Sequence, residues 1–243
     1  MENPTRRSPR ISPSSVRLGL AYRVAGALIF TLQSAAYAAP PVGSELVGRP
    51  LVVDGDTIEI AGQRIRLEGI DAPESAQTCQ TGSGATHACG RIATRALAQI
   101  TDNQIIACES VGTDKYGRML GICFLDGEDI NRYMVESGNA WAFVKYSQRY
   151  VMEEAKARAG KIGIWQGAAQ PAWEFRHAGW QVAEAGAPEG CAIKGNISKN
   201  GRIYHMPWQV WYANVKIDPG RGVRWFCSES EAIAAGWRPA SKN

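Results

Sequence analysis

Short strand-like runs separated by turn signals begin the largest segment of the chain, and they restrict its fold more than any other feature. Asp54-Gly55 and Ala61-Gly62 are typical of tight turns. The residues around these turns predict three strands, at positions 46–53, 57–60 and 63–67. We therefore expect a β-sheet at the centre of this segment.

Helical patterns follow the first strands. Ile92, Leu97 and Ile100 can share one face of a helix, with small alanines between them. Helices are predicted at residues 90–100, 130–137 and 149–159, and a second pair of strands at 105–108 and 119–124. Strands first and helices later predict an α+β domain around a small barrel.

The N-terminus has the features of an export signal. Five arginines precede a short apolar stretch at residues 24–32, and Ala36-Tyr37-Ala38 has the small-residue pattern of a cleavage site. A signal peptide is predicted at residues 1–38, which would place the mature protein in the periplasm or outside the cell. The alternative is a retained membrane anchor, but the apolar stretch is short for a membrane span.

Removal of this leader changes the charge balance. The whole chain has 27 basic and 23 acidic residues, a net charge of +4. Residues 1–38 hold five of the basic residues and one of the acidic ones, so the mature chain carries 22 of each. Affinity for a polyanion would therefore come from a local site. The charged fraction of 21% excludes a coiled coil or a charged disordered tail, and the lack of long apolar runs excludes a polytopic membrane protein.

All six cysteines follow the predicted leader, and an even number in an exported chain indicates disulfides. Six cysteines allow about 15 pairings. Proximity along the chain favours the pairs Cys79–Cys89, Cys108–Cys123 and Cys191–Cys227.

The mature chain is predicted to contain two domains. A segment of ordinary domain size at 46–180 is followed by a Gly/Ala/Pro/Glu stretch at 181–190 that resembles a linker, and then by a small module at 191–243. In this module, Asn200-Gly201 predicts a hairpin turn, and Ser228 with Glu231 predicts the capped start of a short helix.

Three charged clusters in the larger domain could carry chemistry. They are Asp54-Gly55-Asp56-Thr57, the run from Arg66 to Glu74, and the run from Asp114 to Arg118. Each alone is typical of a polar turn or strand face. Together, however, they contain the groups that phosphodiester hydrolysis requires.

Each of these groups suits one part of that chemistry. Asp56 and Asp71 could share a hard divalent cation. Glu74 could serve as general base, and Arg66 and Arg118 suit phosphate oxygens. No set of histidines or cysteines accompanies these acids, which argues against zinc.

These ordered motifs resemble the staphylococcal (thermonuclease-type) nuclease family across residues 46–167. The resemblance implies a five-stranded OB-fold barrel with three helices. It also implies a monomeric, Ca²⁺-dependent nuclease that hydrolyses DNA and RNA with little sequence preference. The alternative is a nuclease-like domain that only binds nucleic acid or protein, which the complete set of acids and arginines disfavours.

The family's site residues transfer to matching positions. The implied roles are metal ligation by Asp56, Asp71 and the carbonyl of Ala72, general-base catalysis by Glu74, phosphate binding by Arg66 and Arg118, support of the metal site by Asp54, and nucleotide contact by Lys115 and Tyr146. Val144 departs from the family, whose best-known member has a second tyrosine at this position.

The C-terminal module resembles the small sunset module appended to some of these nucleases. It contains four of the eight tryptophans. These could bind nucleic acid or a cell surface or, as we favour, form the core of the module. Zinc ligation by Cys191, His205 and Cys227 is the alternative to a disulfide there.

Overall fold

The computed structural model describes residues 41–240, so the predicted signal peptide lies outside the described residues. The strands are β1 (Glu45–Gly48), β2 (Leu51–Val52), β3 (Thr57–Ile60), β4 (Gln63–Leu67), β5 (Ile70–Asp71), β6 (Cys79–Gln80), β7 (Thr86–His87), β8 (Ile106–Thr113), β9 (Met119–Leu125), β10 (Glu128–Asp129), β11 (Trp141–Ala142), β12 (Ile193–Ser198), β13 (Gly201–His205), β14 (Arg224–Phe226) and β15 (Arg238–Pro239). The helices are α1 (Cys89–Thr101), α2 (Ile130–Glu136), α3 (Val151–Ala159), α4 (Ala172–Glu184) and α5 (Glu229–Ala234).

The main sheet curls into a half-barrel. Its strand order is β1-β8-β9-β4-β3-β2, with β10 added at β9. Because β1 and β2 are at opposite ends of this order but only Arg49 and Pro50 separate them in the chain, the two edges of the sheet must approach each other. Pro50 lacks the N–H that a strand interior needs, which explains why the predicted strand at 46–53 is divided in two.

This architecture confirms a mixed α and β domain built around a curled sheet. If β1 and β2 are counted as one interrupted strand, the sheet contains the five expected strands together with the short β10. The three predicted helices are α1, α2 and α3, with ends that differ by one or two residues. The concave face buries apolar side chains that include Ile58, Ile65, Leu67, Leu97 and Met134.

Helix α4 was not predicted, and it corrects the expected linker. Residues 181–184, the first part of the linker expected at 181–190, continue this helix. Trp173 in its first turn packs face to face with Phe143, with ring centroids 5.7 Å apart. Trp180, one turn before the end, packs on Trp208 of the C-terminal module at 5.8 Å. Tertiary packing at both ends thus explains why a segment with weak local signals is helical.

Three disulfides confirm the pairing predicted from chain proximity: Cys79–Cys89, Cys108–Cys123 and Cys191–Cys227. Because Cys191 and Cys227 are bonded to each other, the zinc alternative at these residues is wrong.

The C-terminal module forms a four-stranded sheet of order β14-β12-β13-β15. Its hairpin β12–β13 confirms the predicted turn, and the side chain of Ser228 accepts a hydrogen bond from Glu231 N as the capping motif requires. Trp237 is buried in its core, whereas Trp211 is 56% exposed. No helix within residues 41–240 has the length and apolar composition to cross a membrane.

Candidate active site

The turn between β2 and β3 places Asp56 next to Ala72, the residue that follows β5. The carboxylate of Asp54 accepts a hydrogen bond from the Asp56 N–H at 3.1 Å, a local bond typical of aspartate in turns. A Cβ on Gly55 would lie 2.8 Å from the Cβ of Ala72 and 2.9 Å from that of Ala93, so only glycine allows this approach. Asp56 Oδ2 then accepts the N–H of Ala72 at 3.1 Å.

Arg66 of β4 joins the two acids predicted to hold a cation. Its Nη1 donates to Asp56 Oδ1 and its Nη2 to Asp71 Oδ1, each at 2.9 Å. Burial would lower the pKa of Arg66, but the charges of Asp56 and Asp71 outweigh burial and raise this pKa above its ordinary range. The guanidinium therefore stays charged and bridges the two carboxylates.

The carboxylates around Asp56 favour the binding of a further positive charge beside it. Burial raises the pKa of Asp56 to about 7, Arg66 opposes this rise, and the negative charges of Asp54 and Asp71 add to it. Two adjacent buried carboxylates are hard oxygen donors, so their chemistry fits Ca²⁺ or Mg²⁺. Within residues 41–240, no group of three or more His, Cys, Asp or Glu side chains is arranged to hold a metal ion. A cation here would therefore need backbone oxygen or water as well.

Arg176 of α4 belongs to the same site, although it lies outside the three charged motifs of the sequence. Its Nη1 and Nη2 donate to Asp71 Oδ1 and Oδ2 at 3.0 and 2.7 Å, and Nη1 also donates to Glu74 Oε1 at 3.0 Å. Burial would lower the pKa of Arg176, but its bonds to Asp71 and the charge of Glu74 raise it above its ordinary range. We call Asp56, Arg66, Asp71, Glu74 and Arg176 the acid–arginine cluster.

The turn that carries Glu74 is fixed from two sides. The Glu74 N–H donates to Gln77 Oε1 at 3.1 Å, and the buried amide of Gln77 in turn donates to the carbonyl of Gln170 just before α4. On the other side, a Cβ on Gly90 of α1 would lie 1.8 Å from the carbonyl oxygen of Glu74. Glu74 is therefore held beside Asp71 by α1 and by the segment leading into α4.

Arg118 occupies a separate position next to β9. Asp114 Oδ1 accepts the N–H groups of Tyr116 and Arg118 at 2.9 and 3.0 Å, which closes the turn. The side chain of Arg118 is 2.7 Å from Asp114 Oδ2 through both Nε and Nη2. Lys115 lies with its Nζ 4.8 Å from the centre of the Tyr116 ring.

One cavity of about 920 Å³ connects these groups. Its walls include all of the cluster except Asp71, together with Asp54, Lys115, Arg118 and Tyr146. The structure thus brings Asp56, Asp71, Arg66 and Glu74 into one bonded network. Arg118 and Lys115 line the same cavity without bonding to that network, and Tyr146 is 70% exposed. Val144 is also exposed.

The C-terminal module supplies part of the same cavity wall. Tyr204, Trp208 and Glu229 line it, and the Tyr204 hydroxyl donates to the Glu229 carboxylate. Burial raises the pKa of Glu229, whereas the hydrogen bond from Tyr204 and the charges of Arg118 and Lys115 lower it. The carboxylate of Glu229 is therefore close enough to Arg118 and Lys115 to interact with them electrostatically.

The sequence contains a sign of helix α4 but none of the contact that Arg176 makes from this helix. Pro171 followed by Trp173 and Trp180, seven residues apart, is a weak local signal for an amphipathic helix at the position of α4. Nothing in that pattern indicates that Arg176 contacts Asp71, which is 105 residues earlier in the chain.

Comparison with known proteins agrees with this arrangement. Residues 64–167 match the family described as staphylococcal nuclease homologue. The succinoglycan biosynthesis protein ExoI of Rhizobium meliloti (strain 1021) is 41% identical over 168 residues, 67% of this chain and 85% of that protein. An uncharacterized endonuclease of Escherichia coli O157:H7 is 34% identical over 147 residues, 57% of this chain and 90% of that protein.

A third relative, the micrococcal nuclease of Shigella flexneri, is 34% identical over 146 residues, 52% of this chain and 78% of that protein. Since the chain covers most of each relative, the similarity extends over a whole domain. The family's domain is an OB-fold nuclease domain, and nucleic acid is the substrate class that the family implies. The ordered motifs, the curled sheet and these relatives together establish that the chain belongs to the staphylococcal nuclease homologue family.

Proposed function

We propose that this protein is an exported, Ca²⁺-dependent nuclease that hydrolyses the phosphodiester bonds of DNA and RNA with little sequence preference. The observation that carries this proposal is the bridge from Arg66 to Asp56 and Asp71, at 2.9 Å to each. It holds two buried carboxylates beside each other, and Asp56 lines a cavity whose walls also include Glu74 and Arg118.

Asp56, Asp71 and the carbonyl of Ala72 are the groups that would hold Ca²⁺. A bound Ca²⁺ would polarise a phosphate oxygen and offset the charge of the attacked phosphate. The N–H of Ala72 already bonds to Asp56, so these groups are adjacent in the fold.

The side chains around this position have complementary roles in the proposed reaction. Glu74 accepts a proton from the attacking water, whose oxygen forms a new bond to phosphorus while the bond to the leaving oxygen breaks. Arg66 and Arg118 bind the phosphate oxygens, on which negative charge accumulates, and a proton returns to the leaving oxygen. The products are a phosphate monoester and a hydroxyl.

Lys115 and Tyr146 are proposed to contact the nucleotides around the cleaved bond. An ammonium group binds phosphate, and an exposed aromatic ring stacks on any base. Neither group reads a base edge, so little sequence preference is expected.

Three disulfides support the proposed export, because such bonds persist in oxidising compartments. Expression of the full chain in a bacterium, followed by N-terminal sequencing of the periplasmic and secreted fractions, tests this point. Cleavage after Ala38 is expected, and an intact chain confined to the cytoplasm would contradict export.

The activity itself is tested by digestion of plasmid DNA and of single-stranded RNA, first with Ca²⁺ and then with a chelator. Cleavage is expected only with Ca²⁺, and Glu74→Gln is expected to reduce the rate by about 10²–10⁴-fold because the general base is lost. Glu136→Gln, at an exposed position outside the cavity, is the matched control and should cleave normally. If the protein binds nucleic acid but cleaves it under neither condition, the non-catalytic alternative holds.

A further inference from the structure

Arg176 makes three hydrogen bonds to the acids of the acid–arginine cluster, one more than Arg66. It donates to both oxygens of Asp71, at 3.0 and 2.7 Å, and to Glu74 Oε1 at 3.0 Å. Its side chain is 20% exposed, so these bonds are largely shielded from water. Arg176 also lies outside residues 64–167, where the chain matches the family.

These contacts occupy the oxygens that a cation would need. Asp71 is completely buried, and Oδ1 additionally accepts a bond from Arg66 at 2.9 Å. A divalent ion on Asp71 would have to share this carboxylate with two guanidinium groups, whose like charge opposes its approach. Asp56, in contrast, bonds to only one of these two arginines.

The position of Arg176 does not depend on its bonds to the acids. Ala172, one turn earlier in α4, is completely buried, and Trp173 stacks on Phe143 and contacts Trp141 edge-on at 6.1 Å. Towards the other end of α4, Trp180 packs on Trp208. Because the helix is held on both sides of Arg176, the guanidinium can leave Asp71 by rotation of its side chain while α4 stays docked.

We propose that Arg176 is an internal counter-cation that occupies Asp71 and Glu74 in the metal-free protein and competes with the divalent cation for Asp71. The affinity for Ca²⁺ is therefore set by this arginine as well as by the acids. This inference rests on the proposed Ca²⁺ site at Asp56 and Asp71.

The experiment is a Ca²⁺ titration by calorimetry, with thermal unfolding measured in chelator and in Ca²⁺. Arg176→Met is expected to bind Ca²⁺ at least tenfold more tightly than the wild type. Its melting temperature should fall in chelator, where Asp71 loses a partner, and rise more on addition of Ca²⁺ than that of the wild type. Arg132→Met is the matched control, because it removes an exposed arginine that pairs with Glu128 on the surface. It should leave the affinity within twofold of the wild type.

A second variant keeps the test decisive if Arg176→Met does not fold. Arg176→Lys retains the charge but not the forked bonds to Asp71, and a smaller increase in affinity is expected. If Ca²⁺ binds the wild type and a folded Arg176 variant equally, or the variant more weakly, this inference alone is overturned. If neither the wild type nor any variant binds Ca²⁺, and Asp56→Asn changes nothing, the proposed metal site fails and the inference fails with it.

Discussion

Asp71 shows at the residue scale how this fold keeps a charge in its interior. Its side chain is completely buried, and its two oxygens accept bonds from Arg66 and Arg176. A buried carboxylate is tolerated only with such partners, since removal from water costs several kcal/mol per ion. Arg66 is five residues from Asp71 and could be inferred from a motif, whereas Arg176 is brought in from 105 residues away.

Gly90 is the residue at which a single methyl group should disturb the candidate site. An added Cβ would lie 1.8 Å from the carbonyl oxygen of Glu74 and 2.5 Å from its carbonyl carbon. Because both atoms belong to the backbone, the turn must move, and Gly90→Ala should lower the free energy of unfolding by about 1–3 kcal/mol. Urea unfolding measures the loss. Gly186→Ala is the control, since its nearest atom would be 3.9 Å away, and equal stability of the two variants would contradict the packing.

His205 in the C-terminal module should make stability depend on pH. Its side chain is nearly buried, and burial lowers its pKa below the ordinary value of 6.5. Below that pH the unfolded chain binds a proton that the folded chain does not, so the free energy of unfolding falls as pH decreases, by at most about 1.4 kcal/mol per pH unit.

Thermal unfolding from about pH 8 to about pH 5 checks this expectation for His205. The difference in melting temperature between the wild type and His205→Gln should change across this range, while His177→Gln, at an exposed position, should follow the wild type. A constant difference between wild type and His205→Gln would contradict the role of burial.

At the scale of elements, α4 links the curled-sheet domain to the C-terminal module. It begins at Ala172, next to the curled-sheet domain, and Gly179 and Trp180 near its other end pack on Trp208 of the module. Between these contacts it presents Arg176 to the acids. The segment at 181–190, predicted to be a linker, therefore begins as part of a docked helix.

Trp173 should contribute most to the docking of α4 on the curled-sheet domain. Its ring stacks on Phe143 at 5.7 Å and contacts Trp141 edge-on at 6.1 Å. Trp173→Ala removes both ring contacts and should lower the free energy of unfolding by about 3 kcal/mol in urea unfolding. Trp211→Ala removes a tryptophan that is 56% exposed and should cost less than about 0.5 kcal/mol. A comparable loss in both variants would show that the ring contacts of Trp173 are not what docks the helix.

For the whole molecule, the C-terminal module is part of the wall of the candidate site. Its residues Tyr204, Trp208 and Glu229 line the same cavity of about 920 Å³ as Arg66 and Arg118. Because the charges of Arg118 and Lys115 act on Glu229, the module influences the electrostatic potential where a phosphate would bind.

Glu229→Gln should therefore strengthen binding of a polyanion. The substitution removes a negative charge near Arg118 and Lys115, while the amide oxygen can still accept the Tyr204 hydrogen bond. We expect the Kd for a fluorescent single-stranded oligonucleotide to fall by about 2–5-fold at low salt and the difference to shrink at high salt. Glu136→Gln is the control, because it removes the same charge at an exposed position outside the cavity. If both variants change the affinity equally, the effect belongs to net charge and the position of Glu229 is not involved.

Several local features follow from the sequence by itself. The turns at Asp54-Gly55 and Ala61-Gly62, the capped start of α5 and the three disulfide pairs were predicted in their observed places. Each of them depends on dihedral preferences, on hydrogen bonds between near neighbours, or on cysteines close together in the chain. The family could likewise be recognised from the order of the charged motifs. Each motif is a short run of neighbouring residues, and all of them lie in the curled-sheet domain.

Only the tertiary structure decided that α4 reaches the acids and that the module shares their cavity. Arg176 bonds to Asp71 and Glu74 because aromatic contacts at both ends of α4 fix the helix beside them. The bonds of Arg176 join residues 105 and 102 positions apart in the chain. They depend on aromatic packing that a local sequence pattern does not specify. The acids and Arg66 could therefore be recognised from the sequence, whereas the packing of α4 decided that a second arginine, Arg176, bonds to Asp71.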